Sequence, residues 1–384
     1  MMKGNNCYNY FSKAAAAGLC LSMLSLTSCG MIEMRNVVEE TSRGEIDTGM
    51  MLTPAERVND IEIRTEESII EIKEEAPKTV VSFAAAGDVR IDENIIADAA
   101  NRAAQGSSYS FLKIYSGVYR AIHDADVAVG NYSAAAAPYH TEDAGKTTPI
   151  ESLAALAELG FEVLDTTGAD LSASYPQDME DYAVGNIHAA ASAEDAVHIV
   201  KQEGITLAFL AVDAPVVNTE TIAYADSVSD VVVVSANWKA GLSEKHQKTL
   251  AGTMAEAGAD IILGSGNTLG SAEWLTTGDG SCALVVYSLG NLVATSDNPE
   301  ELCSGLLSLD ITLCEGSISL ENVKIQPILM HYGEGSRNYQ IFALNSYTSD
   351  ISATHALEGV DAAALSEKVS GLLNDGFLPS DFQN

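Results

Sequence analysis

Short apolar runs of four to eight residues alternate along this chain with amphipathic stretches. Runs rich in β-branched residues and bounded by turn residues are typical of strands that are covered on both faces. They predict strands over 79–89, 125–131, 161–170, 205–212, 231–238, 257–264 and 283–293. Amphipathic periodicity predicts helices over 95–104, 111–122, 149–159, 191–203, 243–256 and 362–373. This alternation predicts an α/β fold with parallel pairs joined by right-handed crossovers.

The pattern changes after residue 293. Residues 305–313 and 317–329 are apolar or alternating and flank a short turn, so they predict an antiparallel hairpin. The hairpin adds antiparallel strands to a parallel sheet, which makes the sheets mixed. Residues 216–229 are interpreted as a loop or lid.

Loops that follow the carboxyl ends of parallel strands usually carry the functional site. Two such loops, 235–239 and 264–270, contain no histidine, cysteine or carboxylate. The first strand ends in Gly87-Asp88, where the aspartate is either a helix or turn cap or a metal ligand. His140, His188 and His198 are isolated, and His198 falls on a predicted helix; we interpret them as solvated or packed residues.

The first 28 residues have the features of a signal peptide. Lys3 and Lys13 precede and flank a short apolar core, and Leu26-Thr-Ser-Cys29 matches a bacterial lipobox. Cys29 is therefore the predicted lipidation site, and the chain is predicted to be anchored at the extracytoplasmic face of a bacterial cell membrane. The alternative is an ordinary secreted protein with a chance cysteine near the cleavage site.

Composition divides the chain further. Residues 29–78 are highly charged, with few large apolar side chains, and predict an acidic flexible tether. The main domain is predicted over 79–330, followed by a C-terminal extension, 331–384, with one helix. The formal net charge of −34 disfavours nucleic acid as a partner. Three body cysteines, Cys282, Cys303 and Cys314, allow at most one disulfide among them.

Several short motifs carry a family resemblance. They are Gly87-Asp88, Trp238, Gly258-Ala-Asp260, Gly264 and the segment Tyr287-Ser-Leu-Gly-Asn291. Together they resemble the CapA family of bacterial capsule or poly-γ-glutamate synthesis proteins, whose fold is related to the calcineurin-like metallophosphoesterases. The resemblance spans roughly residues 80–330 and implies a two-sheet sandwich flanked by helices.

The resemblance also implies a metal site whose ligands are largely replaced in this chain. Asp88 matches a family metal ligand, Asn131 is kept, and Ser133 stands where the family has a glutamate. Small or neutral residues stand at the histidine positions of the two later loops: Asn237, Gly266 and Thr268. In the third strand's loop, Gly168 and Ala169 replace two asparagines, Asp170 a histidine and Ala173 an aspartate.

These replacements lead us to expect no catalytic residues and no cofactor. The alternative is a divalent metal, Ca²⁺ or Mg²⁺, held by oxygen donors at Asp88, Asp170 and Asn237, with Asn131 and Asn267 nearby. Two main functions remain open: a non-catalytic module that binds an envelope polymer or a capsule-assembly protein, and a metal-dependent hydrolase or transferase with a rebuilt site. A lipoprotein that serves only as a spacer is a third.

Overall fold

The structure is a computed structural model that describes residues 77–133, 148–167, 179–187, 192–238 and 241–382. The predicted signal peptide, Cys29 and nearly all of the tether lie outside these residues. So do Gly168, Ala169, Asp170 and Ala173, and the histidines His140 and His188. Within the described part of the chain, no helix has the length and apolar character needed to cross a bilayer.

Fourteen strands are found in the described residues. The first seven are β1 (Lys78–Val89), β2 (Val127–Tyr132), β3 (Val163–Asp165), β4 (Gly185–Ile187), β5 (His198–Gln202), β6 (Ile205–Asp213) and β7 (Val231–Asn237). The others are β8 (Ile261–Gly264), β9 (Ala272–Thr276), β10 (Cys282–Val286), β11 (Asn291–Val293), β12 (Cys303–Cys314), β13 (Ser317–Gly333) and β14 (Arg337–Ala343).

These strands form two mixed sheets. The first sheet has eight strands in the order β14-β13-β12-β1-β2-β3-β4, with β11 paired to β1. The second has six in the order β5-β6-β7-β8-β10-β9. The predicted α/β fold with two mixed sheets and flanking helices is thus confirmed, as is the hairpin, which is β12 and β13.

The described helices are short. They are α1 (Glu93–Asn101), α2 (Tyr119–His123), α3 (Glu151–Leu159), α4 (Ala193–Ala196), α5 (Thr219–Val228), α6 (Glu244–Glu256), α7 (Pro299–Leu302), α8 (Ser349–Ser352) and α9 (Ala362–Leu372). Two 3₁₀ turns occur at Leu112–Tyr115 and Leu344–Ser346. The predicted helix over 111–122 is therefore broken into a 3₁₀ turn and α2, and the predicted loop over 216–229 is wrong because it contains α5.

The predicted helix over 191–203 is also wrong. Among the described residues of that range, 192–203, only α4 is helical, and β5 follows it as an edge strand antiparallel to β6. His198 consequently lies on a strand. The side chains of β5 alternate between partly buried and exposed, a period of two that the longer helical window obscured.

The predicted single strand over 283–293 is two strands in different sheets. β10 is parallel to β8 in the second sheet, whereas β11 is parallel to β1 in the first. The intervening Tyr287-Ser-Leu-Gly290 carries the chain across the sandwich, with Gly290 at φ +75°. The family-like segment is thus the crossover between the sheets rather than part of one continuous strand.

Alternation along the strands builds two apolar layers. On β6, Leu207 and Phe209 belong to the large core that contains residues of both sheets, while Ala208 and Leu210 belong to a second core. That second core includes Met254 of α6, so it lies between the six-stranded sheet and its helices. A strand buried on both faces reads as a continuous apolar run, as observed here.

An acidic residue precedes each of four parallel strands and accepts a backbone N–H from the neighbouring strand. The pairs are Asp126 with Ser82 (2.8 Å), Glu162 with Ala128 (2.6 Å), Asp230 with Thr206 (2.8 Å) and Asp260 with Val232 (2.7 Å). Each bond satisfies an N–H near the amino end of the parallel ladder. Asp260, part of the family-like Gly-Ala-Asp motif, is therefore a structural residue here.

The C-terminal segment continues the first sheet. The boundary placed at residue 330 falls inside β13, and β14 pairs with that strand. The buried His331 on β13 shares a 2.8 Å hydrogen bond with the Tyr347 hydroxyl. The helix predicted over 362–373 is present as α9, but β14 was missed.

No disulfide joins Cys282, Cys303 and Cys314. Burial raises the pKa of the Cys303 thiol to about 12, so this side chain behaves as an apolar core residue.

Candidate functional site

Asp88 and Asn131 meet at the carboxyl ends of adjacent parallel strands. Asp88 of β1 is paired in register with Asn131 of β2 and with Asn291 of β11. The Asn131 amide donates a 2.7 Å hydrogen bond to Asp88 Oδ1. Ser133 donates a 3.4 Å bond to Asn131 Oδ1. The three positions that the resemblance assigned to the first two strands are therefore linked to one another.

The carboxyl group of Asp88 titrates far from its ordinary range. Its side chain is buried, and this desolvation raises its pKa to about 7. The Arg90 guanidinium opposes the shift, and the nearby Asp165 adds to it. Loss of water disfavours the charged form, which a single exposed arginine does not fully offset.

Asp165 is the second carboxylate of the site, and it was not among the predicted site residues. It ends β3, is only 1% exposed, and accepts a 2.8 Å bond from the Thr167 N–H. The Ser235 hydroxyl and the Asn237 amide of β7 both donate to its Oδ2 atom, the latter at 3.3 Å. One sequence signal could have identified Asp165: it is an acidic residue at the carboxyl end of a buried strand, next to the strand that carries Asn131.

The loop after β8 is held by Trp238 and Ser288. The Trp238 backbone N–H donates to the Ser265 hydroxyl of this loop at 3.1 Å, and its Nε1 donates to the Tyr287 carbonyl at 2.8 Å. The Ser288 hydroxyl donates to the Thr268 carbonyl at 2.7 Å, and to that of Gly266 at 3.3 Å. The backbone carbonyls of Gly266 and Thr268, two of the predicted former site positions, thus bind Ser288.

Arg90 and Asn267 join the first sheet to this loop. Arg90 Nη1 donates a 2.6 Å bond to Asn267 Oδ1. The Asn267 carbonyl accepts a 2.9 Å bond from the Asn291 amide, whereas the buried Asn291 Oδ1 has no hydrogen-bond partner among the described residues. Asn267 is therefore engaged through both of its oxygens.

A small cavity lies between the sheets at this end. Its volume is about 20 Å³, and its lining includes Asp88, Asn131, Ser235, Gly264 and Ser265. A space of this size holds about one water molecule. It does not admit a sugar or an amino-acid unit of a polymer unless the sheets separate.

The described residues do not present the ligands of a two-metal hydrolase. Within them, no three histidine, cysteine, aspartate or glutamate side chains cluster as metal ligands would. Asn131 and Asn237 point amide nitrogens at the two carboxylates, which are hydrogen-bond donors and not metal ligands. The donor set is the carboxyl groups of Asp88 and Asp165 with neutral neighbours, and this fits a transition metal poorly.

Comparison with known proteins gives one family. Residues 182–296 match the family model described as bacterial capsule synthesis protein PGA_cap. This stretch contains Asn237, Trp238, Gly264 and the crossover ending in Asn291. Asp88, Asn131 and Asp165 lie outside it. No curated protein shows significant similarity to the chain.

Two solved structures are similar to part of this chain. A crystal structure of a hypothetical protein from Thermus thermophilus is 12% identical with a TM-score of 0.40, covering 64% of this chain and 99% of its own. A solution NMR structure of a Thermotoga maritima protein is 12% identical with a TM-score of 0.21, covering 50% and 96%. The family match confirms the resemblance indicated by the motifs: over residues 182–296 this chain is similar to the bacterial capsule synthesis proteins.

Proposed function

We propose that this protein is a lipid-anchored, CapA-like envelope protein that works in capsule or polyglutamate assembly without metal-assisted catalysis. It binds an envelope polymer or a capsule-assembly protein at the end of the sandwich that holds Asp88 and Asp165. The observation that carries the proposal is that the site's side chains bond to one another, including Asp165 to Ser235 and Asn237 between the two sheets.

The chemistry of a two-metal hydrolase supports the non-catalytic role. Two metal ions must clamp the attacking and leaving oxygens and activate a water. Here Asp165 receives three hydrogen bonds and Asp88 is neutral below about pH 7. A carboxyl group must lose its proton to ligate a metal, so at neutral pH a metal at Asp88 would compete with the proton.

One observation favours the alternative, a hydrolase or transferase with a rebuilt site. Asp88 and Asp165 lie at the carboxyl ends of strands β1 and β3 on either side of β2, and Asn131 on β2 lies between them in register. Half a turn of the Asn131 amide would present its oxygen to the Asp88 carboxylate. Such an all-oxygen set suits Ca²⁺ or Mg²⁺.

Elemental analysis of the purified protein separates the two functions. We expect far less than one Mg, Ca, Mn, Fe or Zn ion per chain, and no phosphodiester hydrolysis above background when these metals are added. Asp88→Ala, Asp165→Ala and Asp170→Ala should leave the metal content unchanged. Asp126→Ala is the matched control, because Asp126 accepts its bonds from Ser82 at the opposite end of the sheet.

Stoichiometric metal in the parent protein that is lost in Asp88→Ala or Asp165→Ala, but kept in Asp126→Ala, would establish the alternative.

The membrane anchor has its own test. Cys29→Ser should move the protein from the membrane fraction to the soluble fraction, because diacylation of this thiol supplies the anchor. Cys20→Ser is the matched control, since Cys20 lies in the apolar core of the predicted signal peptide. Fractionation after expression in a bacterium that processes lipoproteins makes the comparison. Equal membrane retention of both variants would rule out Cys29 as the anchor.

A further inference from the structure

The two sheets are joined by polar side chains at one end of the sandwich. Asp165 of the eight-stranded sheet accepts bonds from Ser235 and Asn237 of the six-stranded sheet. Arg90, just after β1, donates to Asn267 in the loop after β8. Asp88, Asn131 and Ser235 line the small cavity between the sheets at this end.

Asp165 differs from the other strand-flanking carboxylates. Asp126, Glu162, Asp230 and Asp260 each bind a backbone N–H within their own sheet, at the amino ends of the strands. Asp165 lies at a carboxyl end and binds side chains of the opposite sheet. Its bonds therefore resist separation of the sheets, which the other four do not.

The two bridges differ in exposure. Asp165 is 1% exposed, so its hydrogen bonds are made with little competition from water. Arg90 is exposed, so water competes with its bridge. The Asn291 amide also crosses to the Asn267 carbonyl at 2.9 Å, but that is one bond, whereas Asp165 receives two from the opposite sheet.

We propose that Asp165 is an inter-sheet latch: its hydrogen bonds to Ser235 and Asn237 hold the carboxyl ends of the two sheets closed over the cavity. With the latch formed, the cavity between the sheets is closed. Any ligand larger than water reaches Asp88 and Asn131 from this cavity only when the latch opens. This property does not depend on which polymer or partner the protein binds.

A cysteine placed in the cavity between the sheets reports whether the latch is closed. Val233 lines the cavity and is 2% exposed, so Val233→Cys puts a thiol behind the latch with little change in volume. We expect slow alkylation of this thiol by iodoacetamide in the full-length protein, measured by mass spectrometry of the peptide that contains it. Adding Asp165→Ala should accelerate alkylation by about tenfold or more, as expected when hydrogen bonds to a charged group are lost.

Two further variants separate the latch from general loss of stability. Asp126→Ala removes a carboxylate that bonds Ser82 within the other sheet, far from position 233, so it should not accelerate alkylation there. Asp165→Asn can still exchange a hydrogen bond with the Ser235 hydroxyl and should restore slow alkylation. Equal rates in the Asp165→Ala and Asp126→Ala proteins, or failure of Asp165→Asn to slow the reaction, would overturn the latch. Neither result would bear on polymer binding.

Discussion

Replacing Gly87 with alanine is expected to lower the free energy of unfolding by about 4 kcal/mol or more. A Cβ atom at this position would lie 2.0 Å from the Gly290 carbonyl oxygen. The neighbouring Asp88 N–H donates a 3.0 Å bond to the same oxygen. Because the obstacle is backbone, no side-chain rotation relieves the clash, and β1 must move away from the crossover between the sheets.

Denaturant unfolding monitored by circular dichroism measures this loss. Gly252→Ala is the matched control, because Gly252 lies inside helix α6 and a Cβ there meets nothing within 4 Å. That change should be neutral or stabilise the protein by up to about 1 kcal/mol, since alanine favours the helix. Similar stability of both variants would show that β1 and the crossover do not approach as closely as described.

Asp88→Asn is expected to stabilise the protein at pH 8 by up to about 4 kcal/mol and to have little effect near pH 4. Folding raises the pKa of Asp88 from 3.8 to about 7, chiefly by burial. The folded state therefore disfavours the charged form, and stability falls as the pH rises from 3.8 through 7. Above that range the free-energy cost of burying the ionised carboxylate is constant. The uncharged amide of asparagine avoids this cost.

The measurement is the difference in unfolding free energy between variant and parent from pH 4 to 8. Asp279→Asn serves as the control, because Asp279 is exposed and the Thr277 hydroxyl lowers its pKa. This control should show no gain at pH 8. If the difference in unfolding free energy for Asp88→Asn did not change with pH, the Asp88 carboxyl would be ionised from pH 4 to 8. The metal-binding alternative would then gain support.

The sandwich itself could be predicted because its evidence is local. Apolar runs such as 231–234 and 261–263 identify buried strands wherever their partners lie. Where two periods compete within a short window, local evidence fails. Residues 198–202 form an edge strand because β6 offers them an unpaired edge, and nothing within those residues specifies that edge.

The sequence identified some residues of the candidate site and missed others. Asp88, Asn131 and Asn237 were identified from motifs, and they lie at the same end of the sandwich. Asp165 was missed because its importance depends on Ser235, 70 residues away on the other sheet. Long-range contacts of this kind, such as Asp165 with Ser235 and Arg90 with Asn267, join the sheets here.

The sequence by itself determined the α/β class, most of the strands, the family resemblance and the loss of the family's histidines. Only the tertiary structure decided that Tyr287–Asn291 crosses between the sheets and that the remaining polar side chains pair with one another. The physical reason is that hydrophobic period and turn residues act over a few neighbours. The protonation of Asp88 and the partners of Asp165 depend instead on burial and distance created by distant parts of the chain.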